Sequence, residues 1–84
     1  MDLKDIKISK PLILVETKRT ITKGTNTNFS AKVIKTAEES KYKVGDTIYT
    51  EANFFVPYII DDTHFENIYQ INETMVKGEI NALI

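Results

Sequence analysis

The 84-residue chain contains no cysteine and no tryptophan, only three glycines and two prolines, and a single histidine. Without cysteine, neither a disulfide framework nor a thiolate metal site can supplement a small core. Three glycines leave little with which to build a phosphate-cradling loop. No P-loop, Gly-x-Gly-x-x-Gly, Gly-x-Ser-x-Gly or His-Glu-x-x-His spacing occurs. No apolar run approaches the roughly 20 residues of a membrane-spanning helix. Met1-Asp2-Leu3-Lys4-Asp5 interrupts its apolar residues with charge, unlike the h-region of a signal peptide, so a cytoplasmic or virion-associated protein is expected. On that expectation the sequons Asn28-Phe29-Ser30 and Asn72-Glu73-Thr74 match by chance. Charge of one sign is missing too: eleven basic against twelve acidic residues give a net charge of −1, with no overall field toward nucleic acid or an anionic membrane.

What is abundant is β-branched. Ile occurs twelve times, Thr ten and Val five, against four Leu and four Ala. Such side chains suit a pleated sheet better than a helix, and a chain this short supports one core. The expectation is a single all-β domain over 1–84. Ile6 to Glu16 reads as a strand, with Pro11 at an edge, a bulge or a strand start. Residues 17–29 read as a polar loop containing Gly24 and one apolar side chain before Phe29, Ile21. Ser30 to Thr36 is a second strand, Ala37 to Lys43 a charged connection, and Asp46 to Thr50 a third strand. Ahead of it, Gly45 can take positive φ without steric cost and Asp46 can bond nearby backbone, so both are assigned to a structural turn. Phe54 to Ile60 is apolar apart from Pro57, as in a strand buried on both faces or one broken at the proline. A turn at Asp61-Asp62-Thr63, a strand over Phe65 to Ile71, a break at Asn72-Glu73-Thr74 and a last apolar-alternating segment complete six or seven short strands. That count fits a small barrel or sandwich.

Chemistry has few places to reside. Asp61-Asp62-Thr63-His64 alone brings carboxylates and an imidazole together, and a solvated turn explains it without a metal. Glu38-Glu39 reads as a charged loop. No catalytic residue, cofactor or metal is assigned, and an enzyme is not expected. Lys18, Arg19 and Lys23 near Phe29, Lys32 and Lys35 are the ingredients of an OB-type groove for single-stranded nucleic acid, against which stands the balanced net charge.

Four segments in order, Ile6 to Lys18, Ser30 to Ala37, Lys41 to Thr50 and Ile60 to Ile80, resemble the GroES-type co-chaperonins. Ile8, Pro11-Leu12, Val15 and Lys18 are similar to that family's opening strand. Ala31-Lys32-Val33-Ile34-Lys35-Thr36-Ala37 is similar to its Gly-x-Val-x-x-Val-Gly strand without the glycines. Lys43-Val44-Gly45-Asp46 with Ile48 and Tyr49 is similar to its Val-Lys-x-Gly-Asp strand entry. Ile60-Asp61, Ile68-Tyr69, Glu73, Val76 and Gly78 follow its C-terminal signature. The departures are the loss of a Gly-Gly-Ile-hydrophobic-Leu element from the loop, a connection at Glu38 to Lys43 too short for a roof hairpin, and Met75 in place of Asp. A shortened phage-type relative matches this pattern.

The resemblance implies a small, partly open GroES-like β-barrel that forms a homo-oligomeric ring, possibly a heptamer, caps a chaperonin and assists protein folding. It implies a chaperonin-binding loop at Thr20, Ile21, Thr22, Lys23 and Gly24, with Ile21 docking. It also implies a subunit interface from Ile6, Ile8 and Leu12 to Ile80, Leu83 and Ile84, apolar residues that a lone barrel would leave on open edges. The alternative is a phage virion structural or assembly protein that keeps the barrel without chaperonin binding and has other virion proteins as partners. A nucleic-acid binder is the third reading.

Overall fold

A computed structural model of the chain describes residues 5–22, 24 and 27–80. Six strands form one antiparallel sheet: β1 (Leu12–Glu16), β2 (Asn28–Thr36), β3 (Thr47–Glu51), β4 (Val56–Ile60), β5 (Thr63–Asn72) and β6 (Gly78–Ile80), in the spatial order β4-β5-β1-β2-β3-β6. The all-β expectation holds, with six strands. Their lateral order follows from connections that either turn back at once or cross the sheet.

Of the two links that cross the sheet, β3 to β4 and β5 to β6, the second shows how the sheet is shaped. Asn72 at the end of β5 pairs with Leu12, and Gly78 at the start of β6 pairs with Tyr49, four strand positions away. In a flat sheet that separation would be roughly 19 Å. Six peptide steps reach about 20 Å only when fully extended, and here they include the 3-10 turn Glu73–Met75. The sheet must therefore curl so that its β5 and β3 sides approach each other. One apolar cluster accordingly joins Ile13 and Val15 of β1, Val33 of β2, Ile48 of β3 and Ile71 of β5 around the fully buried Phe55.

Alternation along β1 divides the core between two faces. Ile13 and Val15 point into the large cluster, whereas Leu14 joins Ile6, Tyr58 and Ile68 on the other face, all four buried. Two irregularities bend the ladders. An extra residue in β2 shifts the register between Leu14 and Val15, and β4 and β5 lose register between Pro57 and Ile59 opposite Asn67, which sits at φ 66°. Such bulges increase local coiling.

Several boundaries differ from the sequence expectation. Only Leu12–Glu16 of the first apolar segment is a strand; Ile6 to Lys10 has no strand partner among the described residues. The second strand begins at Asn28, so the polar loop ends before 28, and Phe29 is buried. The reason is packing: Phe29 meets Phe55 edge-on at 6.4 Å, and Phe55 meets Tyr69 likewise at 5.7 Å. Phe54 to Ile60 is neither one strand nor buried on both faces. Ala52–Phe54 is a 3-10 turn, Phe55 enters the core, and β4 is an edge strand whose Val56 and Ile59 are exposed. Pro57, lacking an N–H, is tolerated there because the strand lies at the edge.

Candidate interaction surfaces

The turn before β3 is built from four residues. The N–H of Asp46 donates to the carbonyl of Lys43 at 3.0 Å, closing Lys43-Val44-Gly45-Asp46 as a β-turn, and Gly45 has φ 102°. Asp46 Oδ2 accepts from the N–H of Lys43 at 2.9 Å. The turn docks on β2 through Gly45 N–H to Val33 O and Val33 N–H to Asp46 O, both 2.8 Å. Gly45 and Asp46 thus place β3 beside β2, and Val44 projects at the tip, 64% exposed.

The loop candidates are partly described. Thr20, Thr22 and Gly24 are exposed, Ile21 is half-buried and packs against the large core cluster, and Lys23 lies outside the described residues. Gly24 N–H donates to Asn53 Oδ1 at 3.0 Å, and the Arg19 guanidinium lies 5.4 Å from the centre of the Phe29 ring. Of the nucleic-acid ingredients, Phe29 is therefore in the core with a cation over its face, and Lys32 stands opposite Glu16 across the β1–β2 ladder. The stacking platform that reading needs is not exposed here.

The interface candidates separate. Ile6 is buried against Tyr58, Leu14 and Ile68 of its own chain, with Ile8 half-buried beside it, so this pair is not left on an open edge as the sequence reading expected. Cross-sheet packing supplied a partner that the linear pattern does not reveal. Leu12 is half-buried and opens β1, Ile80 is 46% exposed on edge strand β6, and Leu83 and Ile84 lie outside the described residues. Between the Ile6–Ile8 segment and the end of β2 lies a groove of about 420 Å³ lined by Ile6, Lys7, Ile8, Lys35, Ala37 and Glu38, among others. Its lining combines aliphatic residues with two lysines and one glutamate.

Family models, curated proteins and solved structures give no match to the chain. The reading of these surfaces therefore rests on their geometry and chemistry.

Two buried polar contacts were not signalled in the sequence. Glu73, in the link between β5 and β6, is buried and accepts at Oε1 from the Ser40 hydroxyl at 2.7 Å. Thr50, fully buried, donates its hydroxyl to the carbonyl of Met75 at 2.7 Å. Both tie the crossing link to the opposite side of the curled sheet. Asp61 and Asp62 form the two-residue β4–β5 turn, at φ 49° and 62°, with His64 exposed beside them. No cluster of three or more metal-ligating side chains occurs among the described residues, and no described helix is long and apolar enough to cross a membrane.

Proposed function

We propose that the chain is a co-chaperonin-like, ring-forming subunit that acts by binding and not by catalysis, built on a GroES-like barrel of which the curled six-stranded sheet is the body. The observation that carries this reading is the Ile6 to Ser9 segment. It is strand-like in sequence, anchored through Ile6, has no strand partner among the described residues, and borders a groove whose other wall is Lys35 to Glu38. At the other end of the described chain, β6 offers a free edge with Glu79 and Ile80 exposed. A strand carrying an acid and an aliphatic side chain suits a groove whose lining includes Ile6, Ile8, Lys7 and Lys35, with Glu38 its one carboxylate. Repeated head to tail, that insertion is a heterologous contact, which closes into a ring when the rotation permits.

In such a ring Thr20 to Gly24 supplies the chaperonin contact, with Ile21 as its only aliphatic side chain. The test is co-migration of the purified protein with a chaperonin in the presence of ATP. Ile21→Asp is expected to abolish the complex, with circular dichroism checking that the fold survives loss of the Ile21 contact with the core cluster; absence of any complex with the unaltered protein contradicts the chaperonin part. One observation favours the second reading, a phage structural or assembly subunit: Ile21 is already packed against its own core. On that reading the ring forms, no chaperonin binds, and the partners are other virion proteins.

A further inference from the structure

Among the described residues the two most exposed large aliphatic side chains are Val44, at 64%, and Ile59, at 60%. They lie on different features, the turn that launches β3 and the edge strand β4. The charged residues that flank them most closely in sequence differ in sign. Val44 is flanked by the exposed Lys41 and Lys43, and the one carboxylate bonded to this turn, Asp46, is directed at the backbone N–H of Lys43. Glu38 and Glu39 are the exposed central residues of the preceding turn, which the N–H of Ser40 closes onto the carbonyl of Ala37. Ile59 is cross-strand from His64 and near exposed Asp61, Asp62 and Glu66, with exposed Val56 on the same strand. From Gly45 through Val76 the sequence contains no lysine or arginine at all.

A cationic aliphatic knob and an anionic aliphatic patch on one chain are complementary to each other. We propose that the Lys41–Val44 knob of one copy docks on the Ile59–Asp62 patch of a second copy. Apolar contact at Val44 and Ile59 supplies the desolvated centre, and the lysines and aspartates form a charged rim that sets orientation and speeds encounter. The contact is head to tail, because the two surfaces differ, and so extends to further copies. It uses neither the Ile6–Ile8 groove nor β6, and it stands whether or not a chaperonin is the partner.

The absence of cysteine makes the test direct, since an introduced cysteine is the only thiol. Proteins carrying Val44→Cys and Ile59→Cys are mixed at equal concentration under mild oxidation. Both positions are exposed, so both variants are expected to fold, which circular dichroism checks. The mixed 44–59 disulfide dimer should form in clear excess over the two homodimers. Adding Lys41→Glu and Lys43→Glu to the first protein, or Asp61→Asn and Asp62→Asn to the second, should lower its yield several-fold, as should raising the salt concentration. A mixed dimer no more abundant than random pairing gives, or a yield indifferent to both charge changes, overturns the proposal.

Discussion

The Ser40 hydroxyl donates a 2.7 Å hydrogen bond to the Oε1 of Glu73, joining residues 33 positions apart across the end of the curled sheet. Glu73 is 4% exposed and its own N–H donates to the carbonyl of Pro11 at 2.7 Å, while Ser40 Oγ also accepts from the N–H of Tyr42 at 3.1 Å. The network therefore fixes three segments at once: the entry to β1, the connection after β2 and the link from β5 to β6. A buried carboxylate deprived of a donor bears a desolvation cost. Ser40→Ala should destabilise the fold by about 1–3 kcal/mol in urea titration. A change below about 0.5 kcal/mol would mean that water replaces the hydroxyl at no loss.

Gly45 occupies φ 102° with nothing within 4 Å of the position a Cβ would take. Space is therefore not the constraint, and the cost of a side chain there is backbone strain alone. Gly45→Val should lose about 1–3 kcal/mol, a large share of the roughly 5–10 kcal/mol available to a small domain. An unaltered melting temperature would show that the turn adopts another conformation.

At the β4–β5 turn, Asp61 and Asp62 both hold the left-handed conformation, the geometry of a type I′ turn. Aspartate tolerates it, but Asn-Gly is the preferred pair. The double change Asp61→Asn, Asp62→Gly should raise stability by about 0.5–1 kcal/mol, seen as a higher urea midpoint with unchanged slope. A lower midpoint would argue against this turn type.

The apolar run Phe54 to Ile60 contains both the centre of the core and an open edge. Phe55 is fully buried, whereas Ile59 is 60% exposed. Phe55→Ala should cost about 3–5 kcal/mol and Ile59→Ser under about 0.5 kcal/mol, when both are measured on dilute protein. Comparable losses at the two sites would place Ile59 in the core.

The contrast shows where sequence legibility ends. The all-β class, the Gly45-Asp46 turn and the Asp61-Asp62 turn were readable because β-branched composition and turn chemistry act locally. The fate of Phe29, Phe55 and Ile59 was not, since all three sit in polar–apolar transitions or uniform apolar runs where only long-range packing decides which side chain turns inward. Ile6 illustrates the same limit: alternation with lysine predicted a strand, and contact with Tyr58 and Ile68 makes it an anchor instead. The Ser40–Glu73 pair lay beyond reach, because nothing in either local sequence signals a partner 33 residues away.

The central claim is that copies of this chain close into a ring through insertion of β6 beside the Ile6 to Ser9 segment. The most direct measurement is the solution mass, by light scattering at micromolar concentration, of the full chain and of a form lacking Glu79 to Ile84. We expect a discrete multimer for the full chain and a less stable or aggregating monomer for the shortened one, still β-type by circular dichroism. A monomeric full chain, or a shortened form that keeps the full multimer mass, would contradict it.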